Sequence, residues 1–152
     1  RAREASAAGR RPRQVQRWIA YRRISPNLTR AVLVAEDEPA VRRMVAGHLR
    51  QLGYSVHEAE SADRAMNVWD AHWSEIDLLV TDLAMPGRLN GVQLYAALRE
   101  RRADLRVLFM SGHPGRVDVA GTVFQPGVNF IAKPFSGAEI ATAVRRRLDA
   151  RD

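Results

Sequence analysis

The sequence predicts an α/β domain, a doubly wound parallel sheet of five strands with helices on both faces. Two observations carry this. From Ala31 onward, short apolar runs alternate five times with segments whose apolar residues recur every three or four positions. Polar residues suited to ligand chemistry stand just after four of those runs: Glu36-Asp37 after AVLVA, Asp82 after IDLLVT, Ser111 after LRVLFM and Lys133 after VNFIA. In an open α/β sheet the ligand edge lies at the strands' C-terminal ends.

The elements follow in order. The first strand is Ala31 to Ala35, and Pro39 is placed to start the first helix. That helix carries Val41, Met44, Val45, His48, Leu49 and Leu52 on one face, with Gly53 suited to its C-terminal end. YSVHEA reads as strand two. Ser61 is an N-cap for a helix turning Ala62, Ala65, Met66, Trp69 and Trp73 inward. Strand three runs Ile76 to Thr81, and the helix after Asn90-Gly91 presents Val92, Tyr95 and Leu98. Strand four is Leu105 to Met110. Pro114, Gly115, Gly121, Pro126 and Gly127 crowd the next stretch, so the fourth helix is expected to be short or irregular. Strand five is Val128 to Ala132, and the last helix, capped by Ser136, buries Ile140, Val144 and Leu148.

Composition narrows the function classes. A chain of 152 residues, 46% hydrophobic and 27% charged, has the make-up of a soluble globular domain with room for a core. No apolar run approaches the ~20 residues of a membrane span, and no hydrophobic segment follows the basic N-terminus as in a secretory signal. Without cysteine there are no disulfides or thiolate metal sites, which fits a cytoplasmic location. The net charge of +7 is unevenly spread. Residues 1–30 hold nine Arg and one acid, for +8, and the remainder sums to −1. The expected division is therefore a basic arm or linker over 1–30, partly disordered, and a globular domain over 31–150. Within the arm, 15–24 has the pattern of a short amphipathic helix.

Three carboxylates, a hydroxyl and an ammonium at one sheet edge suit Mg²⁺-assisted phosphoryl transfer onto an aspartate. Taken singly, an Asp at a strand end is usually a turn or cap residue. Glu36-Asp37 would also favour the start of a helix. The combination is what points to chemistry.

Four segments, VLVAEDEPAVRRMV, LLVTDLAMPG, LFMSGH and FIAKPF, resemble the receiver domain of two-component response regulators over about residues 31–150. The resemblance implies a flavodoxin-like sheet of strand order 2-1-3-4-5. It makes Asp82 the phosphoacceptor, with Glu36, Asp37, Asp82 and the carbonyl of Ala84 holding Mg²⁺. Lys133 and Ser111 would contact phosphoryl oxygens, Ser111 and Phe130 would form the conformational switch, and the Lys133-Pro134 bond would be cis. Many family members have Asp where Glu36 stands. The loop MPGRLNG is one residue longer than the common form. VFQPGVNFIAKPF looks like the receivers of hybrid sensor histidine kinases, so the implied partner is a histidine kinase or histidine phosphotransfer protein. The domain would catalyse only its own phosphorylation and dephosphorylation, and a homodimer is compatible with this reading.

Other readings fit less well. An aspartyl-phosphate phosphatase has a second Asp two residues after its nucleophile, and here that position is Ala84. A dinucleotide-binding enzyme has a Gly-rich turn after its first strand, and here the strand enters EDEPA. Nucleic-acid binding through the arm is the alternative its arginines raise, but aromatics are sparse and no recognition motif is present. His57 and His72 show no partner spacing, His48 reads as a boundary or core residue, and His113 lies near the mouth of the site.

Overall fold

The structure, a computed structural model, describes residues 29–112 and 124–150. The expectations for the basic arm, its short helix, His113 and most of the fourth-helix stretch lie outside the described residues. The elements are β1 (Ala31–Ala35), α1 (Pro39–Gln51), β2 (Ser55–Ala59), α2 (Ala62–His72), β3 (Ile76–Asp82), α3 (Gly91–Arg101), β4 (Arg106–Ser111), β5 (Phe130–Ala132) and α4 (Gly137–Asp149). All strand pairs are parallel, in the order β2-β1-β3-β4-β5.

A parallel sheet covered on both faces needs strands that are apolar on both faces, and β1 and β3 meet that need. On one face Val32, Val34, Leu78, Val80, Leu108 and Met110 pack against Val45 and Leu49 of α1 and Ile140, Val144 and Leu148 of α4. On the other, Leu33, Leu79, Val107 and Phe109 pack against Trp69 of α2 and Val92, Leu94 and Leu98 of α3. Trp69 is fully buried and Trp73 packs at that cluster's margin. Arg102, itself buried, donates to the carbonyls of Trp73 and Ile76 and lays its guanidinium over the Trp69 ring at 5.0 Å. It satisfies the turn entering β3 with two N–H groups of one planar fork.

Helix ends follow their local chemistry. Ser61 caps α2 by accepting from the Arg64 amide, and reciprocal capping boxes start α3 (Asn90 with Gln93) and α4 (Ser136 with Glu139). At α1 the N-cap is Glu38 without a side-chain cap, and Pro39 opens the first turn.

Several boundaries differ from the sequence reading, and β2 begins at Ser55, one residue after the expected start. β3 extends one residue to include Asp82, and β4 runs Arg106–Ser111, so both site residues are paired within strands. β5 begins at Phe130, because Gln125 to Asn129 fold into a turn around Gly127 at φ +77°. There the Asn129 side chain accepts from the Gln125 amide, and Val128 is exposed. Leu52 is 60% exposed, since α1 ends at Gln51 and Gly53 at φ +90° turns the chain away. Ala46 and Leu94 join the core unannounced by the pattern.

Gly91 joins fold to site. Its amide donates to the Leu83 carbonyl at 3.0 Å, and a Cβ there would overlap the Asp82 carbonyl oxygen and crowd the Thr81 hydroxyl. Gly137 also lacks room, but its obstacle is the half-buried His48 ring, which can swing aside. Gly91→Ala should therefore cost about 1–3 kcal/mol, as overpacking against backbone does, and Gly137→Ala clearly less. Urea denaturation of the two variants checks the order. Equal costs would contradict it.

Candidate functional site

Each strand C-terminus delivers one part of the site. β1 ends at Ala35, and the Glu36 amide donates to the Ala59 carbonyl of β2, which holds Glu36 in line with the sheet. Glu36 is completely buried, while Asp37 beyond it is exposed. Asp82 closes β3 with its side chain 12% exposed, and Ala84 follows on the surface. Ser111 closes β4, nearly buried, and its carbonyl accepts from the Lys133 amide at 2.8 Å. Lys133 follows β5, and its bond to Pro134 is cis, as the resemblance implied.

The side chains converge. Lys133 Nζ donates to Glu36 Oε2 at 2.8 Å and stands 3.4 Å from Asp82 Oδ2. Glu36 Oε1 accepts from the Glu38 amide at 3.0 Å. Carboxylate oxygens of Glu36, Asp37 and Asp82 lie within 4.8 Å of one another. An all-oxygen, carboxylate-rich donor set partly open to water is what Mg²⁺ requires, so the residues present fit that ion. Arg42, which the sequence reading passed over, donates to the Glu36 carbonyl at 2.8 Å and lies 3.8 Å from Glu58. One turn into α1, it fastens the acidic loop to the helix.

The electrostatics of the pair are unequal. Burial pushes the Glu36 carboxyl above its ordinary range. The Lys133 and Glu38 hydrogen bonds pull it down, Asp82 pushes it up again, and the net is upward. Burial alone would lower the Lys133 ammonium, but its hydrogen bond to Glu36 and the fields of Asp82 and Glu36 outweigh this and raise it. The ion pair thus favours both charges, and only the more deeply buried partner is left with a net cost. Lys133 contributes stability that is present at neutral pH and lost as pH rises through its folded pKa, above 10.5. Glu36 runs the other way. Its ionised form at neutral pH is a cost, relieved as pH falls through the raised value toward 4.5.

The residues around this edge match a known domain. The family model for the response regulator receiver domain matches residues 32–145. The chain belongs to the response regulator receiver family. A curated relative, the sensor kinase CckA of Brucella abortus, is 34% identical over 121 residues, covering 80% of this chain and 13% of the relative. The transcriptional regulator NtrC of Azospirillum brasilense is 30% identical over 122 residues, 78% of this chain and 24% of the relative. The chain thus spans a minor part of either relative's length. Among solved structures, the receiver domain of the hybrid histidine kinase CckA superposes with a TM-score of 0.65 at 33% identity, covering 78% of this chain and 99% of that one. The receiver domain of NtrX from Brucella abortus gives 0.67 at 28%, covering 79% and 99%.

Phe130 of this receiver is buried and sits edge-on to Phe124, with ring centroids 6.0 Å apart. Phe124 in turn meets Phe109 at 5.3 Å, and Phe109 meets Tyr95 at 5.7 Å. A row of edge-to-face rings therefore leads from β5 across to α3.

Lys133→Met would leave the buried Glu36 Oε2 without its donor and facing Asp82. The Glu36 carboxyl should then titrate at still higher pH. Folding should lose somewhat less than the roughly 3–5 kcal/mol of a broken buried pair, because Glu36 can take up a proton. Carboxyl ¹³C NMR of Glu36 across a pH series reads the shift, and a downward one would refute this electrostatic account.

Proposed function

We propose that this receiver accepts a phosphoryl group on Asp82 from a histidine kinase or histidine phosphotransfer protein, and that Mg²⁺ is held by Glu36, Asp37, Asp82 and the Ala84 carbonyl. The observation that carries the reading is the bridging of Glu36 and Asp82 by Lys133 Nζ beside an exposed Asp37. A nucleophilic carboxylate, a cation and oxygen donors for a hard metal share one opening. In the transfer, an Asp82 carboxylate oxygen forms the new O–P bond as the P–N bond to the donor imidazole breaks, and the imidazole keeps the electron pair and takes a proton. Bound Mg²⁺ supplies charge neutralisation between carboxylates and phosphate. Lys133 is placed to exchange Asp82 for a phosphoryl oxygen as a point charge, and the Ser111 hydroxyl to donate to another. The dephosphorylating reaction belongs to the same site. We place the protein in the cytoplasm, where such donors act.

The readout follows from the strand ends. Lys133 and Ser111 are joined through backbone, so a group that draws both inward strains β4 and β5 together. Phe130, at the start of the strand that Lys133 follows and packed on Phe124, is the side chain placed to repack in a two-state manner.

Incubation of the protein with a small acyl phosphate and Mg²⁺ should add one phosphoryl group, lost on chelation and in Asp82→Asn, as intact mass shows. Ordinary labelling of Asp82→Asn would refute the assignment. Asp37→Ala should weaken Mg²⁺ binding measured by calorimetry, whereas Lys133→Ala should largely spare it and impair labelling. With a phosphoryl mimic, amide shifts should be largest near Ser111 and over residues 128–135. Shifts confined to the acidic loop would mean that no switch is coupled.

A further inference from the structure

Away from the acidic edge, three metal-ligating side chains meet that their chain positions do not connect. His57 lies in the middle of β2 on the same face as Ala59, toward α2, whose last residue is His72. Glu75 stands in the turn before β3. The imidazole rings stack with centroids 4.3 Å apart and planes 26° from parallel. Both point a nitrogen at one carboxylate oxygen: His57 Nε2 is 3.9 Å and His72 Nδ1 3.5 Å from Glu75 Oε2. All three donor atoms lie within 4.8 Å of one another. His57 Nε2 is buried without a hydrogen-bond partner, and at 3.9 Å the carboxylate is beyond hydrogen-bond reach. A buried polar atom left unpaired is costly and calls for a reason.

We propose that His57, His72 and Glu75 form a binding site for a borderline divalent transition-metal ion, Zn²⁺ above all, with water completing the coordination. Two imidazoles and a carboxylate are a common three-ligand set for this ion. Bonds of about 2.1 Å in a tetrahedron place ligand atoms about 3.4 Å apart, so the two nitrogen-to-carboxylate distances, 3.9 and 3.5 Å, are already close to those of a bound set. The rings must still open toward a shared ion. His72 and Glu75, with side chains 41% and 55% exposed, have that freedom. Burial, the neighbouring His72 and Arg50 together outweigh Glu75 and hold His57 below its ordinary value, so its ring is neutral and metal-ready near neutral pH. His57 and His72 line one surface groove together with Glu58, Asn67 and the arginines Arg42, Arg50 and Arg64. The cluster is distinct from the acidic edge: Glu75 stands at the opposite end of β3 from Asp82, and His57 pairs with Leu33, three residues or about 10 Å of strand before Glu36. Nitrogen donors here and oxygen donors there select different ions.

The test is Zn²⁺ titrated into the full chain in excess Mg²⁺, followed by calorimetry and by imidazole NMR. The expected result is one ion per chain, with ring signals of His57 and His72 shifting and those of His48 unmoved. His72→Ala and Glu75→Gln should each weaken binding about tenfold or more, the least that losing even an outer partner costs. Glu75→Gln changes an exposed side chain, and an unchanged denaturation midpoint in metal-free buffer shows the fold intact. Asp82→Asn should bind Zn²⁺ as the parent does. No binding at micromolar Zn²⁺, affinity indifferent to both substitutions, or loss in Asp82→Asn instead would overturn the proposal.

Discussion

One ammonium holds the acidic edge together. Glu36, Asp37 and Asp82 crowd their carboxylates into a space that mutual repulsion would otherwise open. Lys133 reaches them from just beyond β5, 97 positions after Glu36, donating to Glu36 and lying against Asp82. Its position depends on the sheet, because the Lys133 amide is tied to Ser111 and β4 is paired with β3. The site thus exists only when β1, β3, β4 and β5 are assembled in register. Local folding of any single βα unit would leave the carboxylates without their counter-charge.

That dependence explains why the two apolar layers are so complete. Strands β1 and β3 are walled in by helices on both sides, and their backbone has nowhere to shift without voiding one core or the other. Rigid strands let side chains at their ends be held to a fraction of an ångström in the face of electrostatic strain. Burial first, and the field of Asp82 after it, push the Glu36 carboxyl upward there. The folded core supplies the stability that the functional edge spends.

Much of this was legible in the sequence, and the parts that were not have physical reasons. Apolar runs ending in Glu36, Asp82, Ser111 and Lys133 are strong signals, because a buried strand leaves few choices for where a charged residue can emerge. The strand limits at Asp82, Ser111 and Phe130 are not readable from hydrophobicity, because ladder hydrogen bonds decide where pairing stops. Leu52 looked like core until the glycine after it turned the chain. Arg42 and Arg102 gave no signal, since an arginine that serves backbone carbonyls looks like any surface cation. His57, His72 and Glu75 were invisible for the opposite reason. Their meeting depends on how α2 lies across β2, a tertiary fact with no periodicity behind it.

The contact between Gly91 and the end of β3 bears on how this chain can vary. The Leu83 amide is bonded to Met110 and its carbonyl accepts from Gly91, so both ends of the segment between them are anchored independently of its contents. Gly87, at φ +116°, bends the segment within that fixed span. Closure entropy grows only logarithmically, about 0.6 kcal/mol per doubling of length, so one extra residue is nearly free. The long MPGRLNG form therefore needs no compensation elsewhere. The same anchoring marks the exposed residues 86–88 as a place where insertions could accumulate, or a recognition peptide be grafted, without disturbing the aspartate a few residues upstream.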